Sequence, residues 1–304
     1  MMSTLKVAIT GGNGLIGSAL ARHLLDQNAH VWILSRSGKS RVSGAEGVFW
    51  DPSNASIDLK PLSEVNAWVH LAGENIGDGR WTEARKRELR QSRVNVTENL
   101  VHAILSSGHR PSCFVSASGT GFYGTTQSPT DENSPKGDTF LAGLCEAWED
   151  ASKPLEDVGI RRVILRTGMV LAPEGGALPK MLTPFKLGVG GRLGSGDQVW
   201  NWIHLADLVR IYSHSICDER FTGVYNAVSP DSLTNEEFTR ILSGVLGKPA
   251  ILPAPAFALK LSLGLMAEEL LLTGQNAIPK RLLDQGFHFD FPKLKSALVD
   301  CLGR

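Results

Sequence analysis

The segment VAITGGNGLIGSALARHLL, residues 7–25, decides the fold of this chain. An apolar run ends at Thr10, the glycines Gly11, Gly14 and Gly17 follow, and helical periodicity begins at once. The first glycine permits a tight turn, the second lets a pyrophosphate approach the backbone, and the third lets the helix pack on the strand. The segment therefore predicts a phosphate-binding loop, in which phosphates meet free backbone N–H groups at the positive end of a helix dipole.

Short β-branched runs alternate with helical stretches over the first half of the chain. The runs span residues 6–10, 30–36, 47–50, 67–73, 113–118 and 161–166. Such alternation is typical of βαβ units, so we predict an α/β fold with a Rossmann-type doubly wound parallel sheet. In this setting a phosphate-binding role for the loop is favoured over the alternative, a glycine turn without a ligand.

The character of the sequence changes where glycine and proline become frequent. We interpret residues 1–171 as the nucleotide-binding domain, and 172–304 as mainly a substrate-binding lobe with a C-terminal helical block. This second region is a smaller α+β part, from which the segment 202–228 is expected to return to the parallel sheet. Thr234 and Glu237 have the spacing of a capping box, which predicts the start of a helix.

The end of the second predicted strand, ILSRSGKSR (33–41), bears on the choice of nucleotide. An NAD site usually carries Asp or Glu here, which bridges the ribose hydroxyls. This chain has Ser35, Arg36 and Ser37 instead. An acid would repel a 2′-phosphate, whereas Arg36 can pair with one and stack on adenine. We therefore predict NADP(H) as the cofactor, with a solvated basic loop as the alternative.

Composition argues against several classes of partner. Lys plus Arg is 31 and Asp plus Glu is 31, so the net charge is zero and favours neither nucleic acid nor an anionic membrane. No apolar run reaches the ~18 residues of a spanning helix, and no secretory signal is expected before the first strand. The cysteines are scattered in apolar settings, so we expect buried thiols and a cytoplasmic location. The histidines match no metal motif, so no metal is predicted.

Several motifs occur in the order typical of a known enzyme family. They are TGGNGLIG (10–17), HLAGE (70–74), SASGTGFYG (116–124), LRTGMVL (165–171) and WIHLADL (202–208). The chain resembles the extended, atypical short-chain dehydrogenases/reductases. It resembles more narrowly the "epimerase family" clade, NAD-dependent epimerase/dehydratase-like proteins with a C-terminal domain of unknown function. LCEAWE, MLTPFKLGVGGRLGSG and GQNAIPKRLLDQGF carry this narrower resemblance, which covers residues 5–303.

The resemblance implies cofactor contacts beyond the glycines. They fall on the phosphate loop, the end of the fourth strand, the next helix and the strand near the nicotinamide: Asn13, Leu15, Ile16, Leu71, Ala72, Gly73, Glu88, Arg93 and Met169. For Glu88 and Arg93 the alternative is an exposed helix face, because the sequence around them is charged throughout. Asn95 matches an Asn that steadies the sheet beside the active site.

The family's catalytic pair is missing from its expected helix. In the superfamily a Tyr exchanges a proton with the substrate oxygen, while a Lys four residues later lowers the Tyr pKa and binds the nicotinamide ribose. Counting back from Glu149 puts Leu141 and Cys145 at those places, and no Tyr-x-x-x-Lys occurs anywhere in the chain. Cys145 brings no positive charge, so we interpret it as a packed core thiol.

Ser118 and Tyr123 are the remaining candidates for proton transfer. Ser118 resembles the family's catalytic Ser, although an extra residue makes Ser116 a rival. Tyr123 has the only aromatic hydroxyl near the expected active site, but in many relatives this Tyr is only the structural end of the strand. The sequence leaves both interpretations open for each hydroxyl.

Two functions are compatible with these features. The first is an NADP(H)-dependent oxidoreductase or sugar-nucleotide epimerase-like enzyme without the usual dyad. Its small-molecule substrate, a sugar nucleotide or another phosphorylated compound, would lie between the carboxyl edge of the sheet and residues 176–204, with Arg192 as an anion partner. The second is a catalytically silent, NADP(H)-responsive regulatory protein, because some relatives are described as cell-division inhibitors. The sequence does not indicate an oligomeric state.

Overall fold

The computed structural model describes residues 4–54, 57 and 59–304. Its strands are β1 (Lys6–Thr10), β2 (His30–Ser35), β3 (Glu46–Phe49), β4 (Ala67–His70), β5 (Cys113–Gly119), β6 (Arg161–Thr167), β7 (Met169–Leu171), β8 (Val199–Trp200), β9 (Trp202–His204), β10 (Gly223–Ala227) and β11 (Leu233–Thr234). Its α-helices are α1 (Leu15–Asp26), α2 (Glu83–Arg90), α3 (Val96–Ser106), α4 (Phe140–Asp150), α5 (Leu178–Lys186), α6 (Leu205–Cys217), α7 (Asn235–Leu246), α8 (Ala256–Leu263), α9 (Lys280–Asp284) and α10 (Leu294–Cys301).

Seven strands form one parallel sheet in the order β3–β2–β1–β4–β5–β6–β10. This order confirms the predicted Rossmann-type doubly wound sheet, and β10 brings the later part of the chain back to its edge. Because the strand order reverses beside β1, a crevice opens outside the carboxyl ends of β1 and β4, where such sheets bind ligands. The fourth strand ends at His70 instead of Gly73, so the residues after it are free to line that crevice.

Helices cover both faces of the sheet because the central strands are apolar on both sides. On one face, α1 and α6 pack against β1 and its neighbours through residues such as Leu20, Leu24 and Leu208. On the other face, α3 packs through Leu100 and Ile104 around a group of buried tryptophans. The two layers hold the carboxyl ends of the strands in fixed positions around the crevice.

The C-terminal part has its own apolar core, built by α5, α7 and α10. The predicted capping box is confirmed: the Thr234 hydroxyl accepts from the Glu237 backbone N–H, and the Glu237 carboxylate accepts from the Thr234 N–H. The helix ends at Gly247, which adopts the left-handed conformation that favours glycine.

A segment that follows α8, here called the strap (residues 264–281), runs across the carboxyl side of the sheet. The Glu269 carboxylate accepts from the backbone N–H groups of Phe140 and Leu141, at 3.1 and 2.9 Å, and so caps the first turn of α4. Further along, the strap pairs its backbone with Thr126 and Thr130, beyond the end of β5. The C-terminal region is thereby tied to the helix that carries the expected catalytic positions.

None of the helices in the described residues is both long enough and apolar enough to span a bilayer. The four cysteines are free thiols, and Cys113, Cys145 and Cys301 are buried as expected. The expectation is wrong for Cys217, which is exposed because it is the last residue of α6, where the helix leaves the core.

Candidate functional site

The phosphate loop between β1 and α1 can adopt its conformation only because several of its positions are glycines. Gly11 has a φ of +69°, which favours glycine, and its carbonyl accepts from the Gly14 N–H at 3.0 Å. A Cβ on Gly17 would lie 2.5 Å from the Gly11 oxygen, and a Cβ on Gly12 would lie 2.8 Å from the Ile33 side chain. Gly14 is exposed at the start of α1, so the helix N-terminus faces open space. The loop has the shape that a pyrophosphate needs.

Asn13 fastens this loop to the segment that follows β2. Its side-chain amide donates to the Lys39 carbonyl at 2.9 Å and accepts from the Arg41 N–H at 2.8 Å. The Ser35 hydroxyl donates to the same Lys39 carbonyl, and the Ser37 hydroxyl accepts from the Lys39 N–H. Asn13, Ser35 and Ser37 therefore shape the pocket wall at the adenosine end, which the sequence did not indicate for Asn13.

Arg36 lies at the tip of this wall and is exposed. It makes no hydrogen bond or ion pair with another described residue, although its charge contributes to the low pKa of Asp51, after the larger effect of hydrogen bonds from Ser53. The guanidinium is therefore available to an incoming anion. Two partly buried loop residues, Leu15 and Ile16, lie on the other side of the loop, at the start of α1.

His70, which the sequence analysis did not single out, joins β1 to α3 beneath the crevice. It is fully buried, with Nδ1 2.7 Å from the Thr10 hydroxyl and Nε2 2.9 Å from the Thr97 hydroxyl. The Thr97 hydroxyl donates to the Arg93 carbonyl, so it accepts from Nε2–H, and Nδ1 accepts from Thr10. Burial lowers the pKa of His70 to about 3, so the ring is neutral.

Asn95, to which the family resemblance assigns a steadying role, is exposed. No side-chain hydrogen bond ties it to the sheet among the described residues, because the turn that carries it directs the buried positions to Arg93, Val94 and Thr97. The bonds between Thr97 and His70 hold the sheet at this point instead. That expectation from the resemblance is therefore wrong.

The residues after β4 lie at the rim of the crevice. Leu71 and Ala72 are partly buried and Gly73 is exposed. Gly73 packs against the Arg93 guanidinium, which lies 3.4 Å from where a Cβ on Gly73 would be. Glu88 is farther out on α2, where its carboxylate pairs with Arg85 at 3.0 Å and its side chain is 58% exposed. The structure thus brings Arg93 to the strand end and leaves Glu88 at the solvent-exposed edge.

The two positions at which the family resemblance places the Tyr and the Lys, Leu141 and Cys145, are apolar and buried. Leu141 lies in an apolar cluster and is 3.1 Å from where a Cβ on Gly121 would be, so it fills the space beside the end of β5. Cys145 Sγ is 3.7 Å from the corresponding point on Gly119. Burial is the main reason that the pKa of the Cys145 thiol rises to about 11, with a further rise from Glu149. This confirms the interpretation of Cys145 as a packed thiol.

Ser118 and Tyr123 both belong to one buried hydrogen-bond network. Glu149 and Arg166 form its centre, with two contacts of 2.8 Å and side chains only 8% and 5% exposed. Ser118 donates to Glu149 at 2.7 Å. Tyr123 donates to Asn226 at 2.7 Å and accepts from Arg166 at 3.1 Å. Both hydroxyls are therefore already bound within the protein.

The pKa shifts in this network favour a charged Arg166 and a neutral Tyr123. Burial would lower the pKa of Arg166, but the hydrogen bonds and charge of Glu149 raise it above its ordinary value. Burial raises the pKa of Tyr123, which the nearby Arg166 only partly offsets. The rival Ser116 is fully buried, and its hydroxyl donates to the Ala117 carbonyl. An internal charge pair of this kind fixes geometry, and it does not leave a free proton donor at the crevice.

Met169 and Asn201 lie side by side beyond the end of β6, where the nicotinamide is expected. The Met169 N–H donates to the Asn201 carbonyl at 2.8 Å. Asn201 is 7% exposed, and neither its side-chain oxygen nor its nitrogen has a hydrogen-bond partner among the described residues. Buried amides are normally paired, so Asn201 has hydrogen-bonding capacity to offer a ligand. Sequence reasoning missed it, although its position between Trp200 and Trp202 indicates an apolar setting.

Two contacts bring the C-terminal part against the crevice. A Cβ on Gly175 or on Gly176 would meet the Leu15 side chain at 3.3 Å, so the loop after β7 lies against the start of α1. Lys180 on α5 pairs with Asp78 at 2.6 Å, which joins α5 to the loop after β4. The crevice is thus bounded by both halves of the chain.

Arg192, the expected anion partner of a substrate, already has partners within the C-terminal part. Its guanidinium donates to the Ser195 carbonyl at 2.7 Å and lies 3.8 Å from the Glu236 carboxylate. The side chain is 44% exposed, so the contact to Glu236 is a weak surface pair that a stronger anion can displace. Among the described residues, no cluster of three His, Cys, Asp or Glu is arranged to hold a metal ion.

Comparison with protein families accounts for most of the chain. Residues 7–227 match the NAD dependent epimerase/dehydratase family, and residues 254–301 match a domain of unknown function, DUF1731. The first match contains the parallel sheet and the crevice, and the second contains α8, the strap and α10.

Comparison with individual proteins gives the same result. An epimerase family protein of Mycobacterium leprae is 39% identical over 293 residues, which cover 96% of this chain and 94% of that protein. A crystal structure of the human epimerase family protein SDR39U1 with NADPH is 35% identical, with a TM-score of 0.89 over 99% of this chain and 100% of that one. A structure described as a nucleoside-diphosphate sugar epimerase from Corynebacterium glutamicum is 35% identical, with a TM-score of 0.81 over 99% of this chain and 59% of that one.

Proposed function

Because the chain belongs to the NAD dependent epimerase/dehydratase family and its sheet has the nicotinamide-dinucleotide-binding fold of that family, we propose that it binds NADP(H) in preference to NAD(H). We propose further that it uses the cofactor on a small-molecule substrate, as an oxidoreductase or an epimerase-like enzyme that works without the Tyr-x-x-x-Lys dyad. A cytoplasmic location stays a prediction.

The observation that carries the nucleotide preference is the free guanidinium at the end of β2. Arg36 is exposed and unpaired where an NAD site would present a carboxylate. Ser37 beside it accepts from the Lys39 N–H, so its own O–H can turn towards a phosphate. A charge-assisted contact between a guanidinium and a phosphate is worth about 1.5–3 kcal/mol. The human relative, whose structure is described as containing NADPH, supports the same preference.

The residues on the other side of the crevice fit the rest of the cofactor. A Cβ at Gly17 would lie 2.5 Å from the Gly11 oxygen, so glycine at this position lets the loop keep the shape that a pyrophosphate needs. Leu71, Ala72 and Gly73 are partly open beside the ribose position, and Met169 with the unpaired Asn201 lies where the carboxamide end would reach. When bound, NADPH supplies a hydride, and these residues orient its reactive face and exclude water from it.

Calorimetric titration of NADPH and NADH tests the preference. In the wild-type protein NADPH should bind more tightly, and Arg36→Asp should weaken NADPH binding about ten- to hundredfold while changing NADH binding little. Arg240→Asp, which reverses an exposed charge on α7, is the matched control and should leave both affinities unchanged. Equal losses for both nucleotides in Arg36→Asp would overturn the assignment.

The chemical step needs a proton donor that is free at the crevice. The proton-transfer roles of Ser118 and Tyr123 stay predictions, and their buried partners favour a structural role for both hydroxyls. A positioned general acid contributes about 10²–10⁴-fold in rate. With no such group free at the crevice, we expect weak or undetectable reduction of generic carbonyl compounds. Once a substrate is identified, Ser118→Ala or Tyr123→Phe should lower its turnover at least about tenfold if either hydroxyl transfers a proton.

The substrate is proposed to enter between the carboxyl edge of the sheet and the loops of the C-terminal part. The relative described as a nucleoside-diphosphate sugar epimerase supports a sugar nucleotide, with Arg192 displaced from Glu236 to pair with its phosphates. Arg192→Met should then weaken the binding of a nucleoside-diphosphate sugar in the presence of NADPH. Unchanged binding would contradict this choice of substrate and leave the cofactor assignment intact.

A second candidate function is a catalytically silent, NADP(H)-responsive regulatory protein. One observation favours it: the positions of the lost dyad, Leu141 and Cys145, are packed with apolar contacts, and the nearby hydroxyls are bound internally. Turnover of NADPH against a panel of carbonyl compounds and sugar nucleotides separates the two functions. Tight NADPH binding together with no turnover of any of them would favour the regulatory protein.

A further inference from the structure

Helix α8 is apolar on nearly every side, and yet none of its residues is buried within the described part of the chain. Its sequence, AFALKLSL, contains one charged side chain, Lys260. Phe257 and Leu261 are four residues apart on one face of the helix, and they are 74% and 77% exposed. A helix of this composition is normally covered by other protein. The single chain therefore leaves α8 without the cover that its composition requires.

The exposed apolar surface continues from α8 onto two neighbouring loop segments. The Leu252 N–H donates to the Gly190 carbonyl at 3.3 Å. Two residues further on, the Ala254 N–H donates to the Arg192 carbonyl at 2.8 Å. These bonds hold the loop after α5 beside the segment that leads into α8. The exposed apolar residues of the three segments, here called the α8 face, are Leu187, Val189, Ile251, Leu252, Phe257 and Leu261.

The size of the α8 face is that of an interface. Its six side chains are between half and three-quarters exposed and present about 600 Å² of apolar surface, at on the order of 150 Å² for each fully exposed side chain. The largest apolar patch on a typical monomer covers about 300–600 Å² and is often functional. Two such faces in contact would bury about 1,200 Å², which reaches the range of specific protein–protein interfaces.

The charges of the chain favour a second copy of the same protein as the occupant of this face. The ammonium group of Lys260 pairs with the Glu268 carboxylate at 3.0 Å. Anionic membranes are bound by clusters of about four to eight basic residues, and Lys186 and Lys248 beside the face are too few for that. The net charge of the chain is zero, so two copies approach each other without long-range repulsion. Most soluble oligomers are homo-oligomers in which one patch meets itself across a twofold axis.

We propose that the α8 face is the interface of a homodimer, in which it packs on the same face of a second copy. Phe257 and Leu261 are the anchors of this contact, because they are the most exposed side chains of the face. The interface also reaches the strap, since the pair between Lys260 and Glu268 joins α8 to it. The strap caps α4 through Glu269, so the second copy supports the C-terminal part where it borders the crevice. This proposal does not depend on the cofactor or the substrate.

Sedimentation of the full chain at micromolar concentration tests the proposal. The wild-type protein should sediment with twice the mass of the chain. Phe257→Glu and Leu261→Glu should each weaken self-association at least about thirtyfold, because each places a charge at the centre of an apolar contact. Phe49→Glu is the matched control: Phe49 is 65% exposed on the edge strand β3, away from the α8 face, and its replacement should leave the dimer intact. Thermal denaturation of each variant shows that the chain is folded.

Hydrogen exchange gives a second measurement that does not rely on a change in mass. The backbone amides of Ala256–Leu263 should exchange more slowly as the wild-type concentration rises, and this dependence should vanish in Phe257→Glu. A monomeric wild-type protein would overturn the proposal, and its binding to anionic vesicles would then identify a lipid surface as the occupant. A dimer that survives both α8 substitutions, or one that only Phe49→Glu dissociates, would also overturn it by placing the interface elsewhere.

Discussion

The two sides of the ligand crevice differ in what their polar groups already bind. On the side of β1 and β2, Arg36 is exposed and unpaired, and Gly14 leaves the N-terminus of α1 open. On the side of β5 and β6, the hydroxyls of Ser118 and Tyr123 are both taken by buried partners. The polar groups on the side of β1 and β2 are therefore free to bind a ligand, whereas the hydroxyls on the side of β5 and β6 already have hydrogen-bond partners within the protein.

This difference shows that a binding surface and a catalytic relay are separable in one fold. The nucleotide side works through backbone N–H groups and a helix dipole, which a short stretch of chain supplies by itself. The relay needs side chains whose protons are free at the reacting atom, and such groups are expensive to keep unpaired when buried. At the place where the resemblance would put the Tyr, Leu141 packs in an apolar cluster, and the Glu149–Arg166 pair holds the end of the strand.

Breaking the buried ion pair on the side of β5 and β6 should give the largest loss in the free energy of unfolding. Arg166→Met leaves the Glu149 carboxylate buried without its partner, which should lower the free energy of unfolding by about 3–5 kcal/mol in urea titration. Arg220→Met removes a pair with Asp218 in which the arginine side chain is 75% exposed, and it should leave the free energy of unfolding nearly unchanged because solvent screens the pair. Similar small losses for both variants would show that the network does not hold the strand end.

Filling the phosphate loop tests the open side. Gly17→Ala would place a Cβ 2.5 Å from the Gly11 oxygen and 2.6 Å from the Gly12 Cα, so the backbone must shift, at a cost of about 1–3 kcal/mol. NADPH binding by calorimetry should weaken at the same time, because the loop loses its shape. Gly143→Ala on α4 meets nothing within 4 Å and should be neutral or stabilising. Unchanged NADPH affinity in Gly17→Ala would contradict the assigned phosphate site.

Truncating the Cys145 side chain shows whether this thiol contributes to packing or to NADPH binding. Cys145→Ala should lower the free energy of unfolding by about 1–2 kcal/mol and leave NADPH affinity nearly unchanged, because the buried thiol is inert. Thermal denaturation and calorimetry on the same preparation measure both quantities. Rapid labelling of native Cys145 by a thiol reagent would show instead that this side of the crevice is open.

Acidification tests the buried contacts through which His70 joins β1 to α3, beneath the nucleotide side. The pKa of His70 in the folded protein is about 3, below the ordinary value of 6.5. At intermediate pH the unfolded chain therefore binds a proton at this histidine and the folded protein does not. The stability that this histidine contributes is complete above the unfolded pKa and falls as the pH is lowered towards the folded value. Between ~pH 6 and ~pH 5 the wild type should lose about 1 kcal/mol more than His70→Gln in urea titrations. Parallel pH profiles for the two proteins would rule out a neutral buried ring.

Much of the fold and of the nucleotide side was predictable because their signals are local. The strand, the glycine triplet and the helix of the phosphate loop lie within residues 7–25, and the structure keeps them in that order. The capping box of α7 has the same character, since Thr234 and Glu237 are three residues apart. Short-range sterics and hydrogen bonds decide such elements, and they do not depend on how the rest of the chain packs.

The state of the catalytic side was not predictable from the same sequence. Tyr123 donates to Asn226, a residue 103 positions away, and the cap on Leu141 comes from Glu269, which is 128 positions away. Arg166 follows the apolar run of β6, which indicates that a buried partner must exist for its charge. The sequence does not identify that partner as Glu149. Asn201 lies between Trp200 and Trp202, which indicates an apolar setting but does not show that its amide is unpaired.

The sequence by itself determined the parallel sheet, the phosphate loop, the absence of a Tyr-x-x-x-Lys pattern and the charge at Arg36, because residue type and short spacing decide each of them. Only the tertiary structure decided that Ser118 and Tyr123 are bound internally, that Cys145 is packed, and that Arg93 is buried against Gly73 at the end of β4. The physical reason is that partners of buried polar groups are set by strand order and helix packing, which join distant parts of the chain.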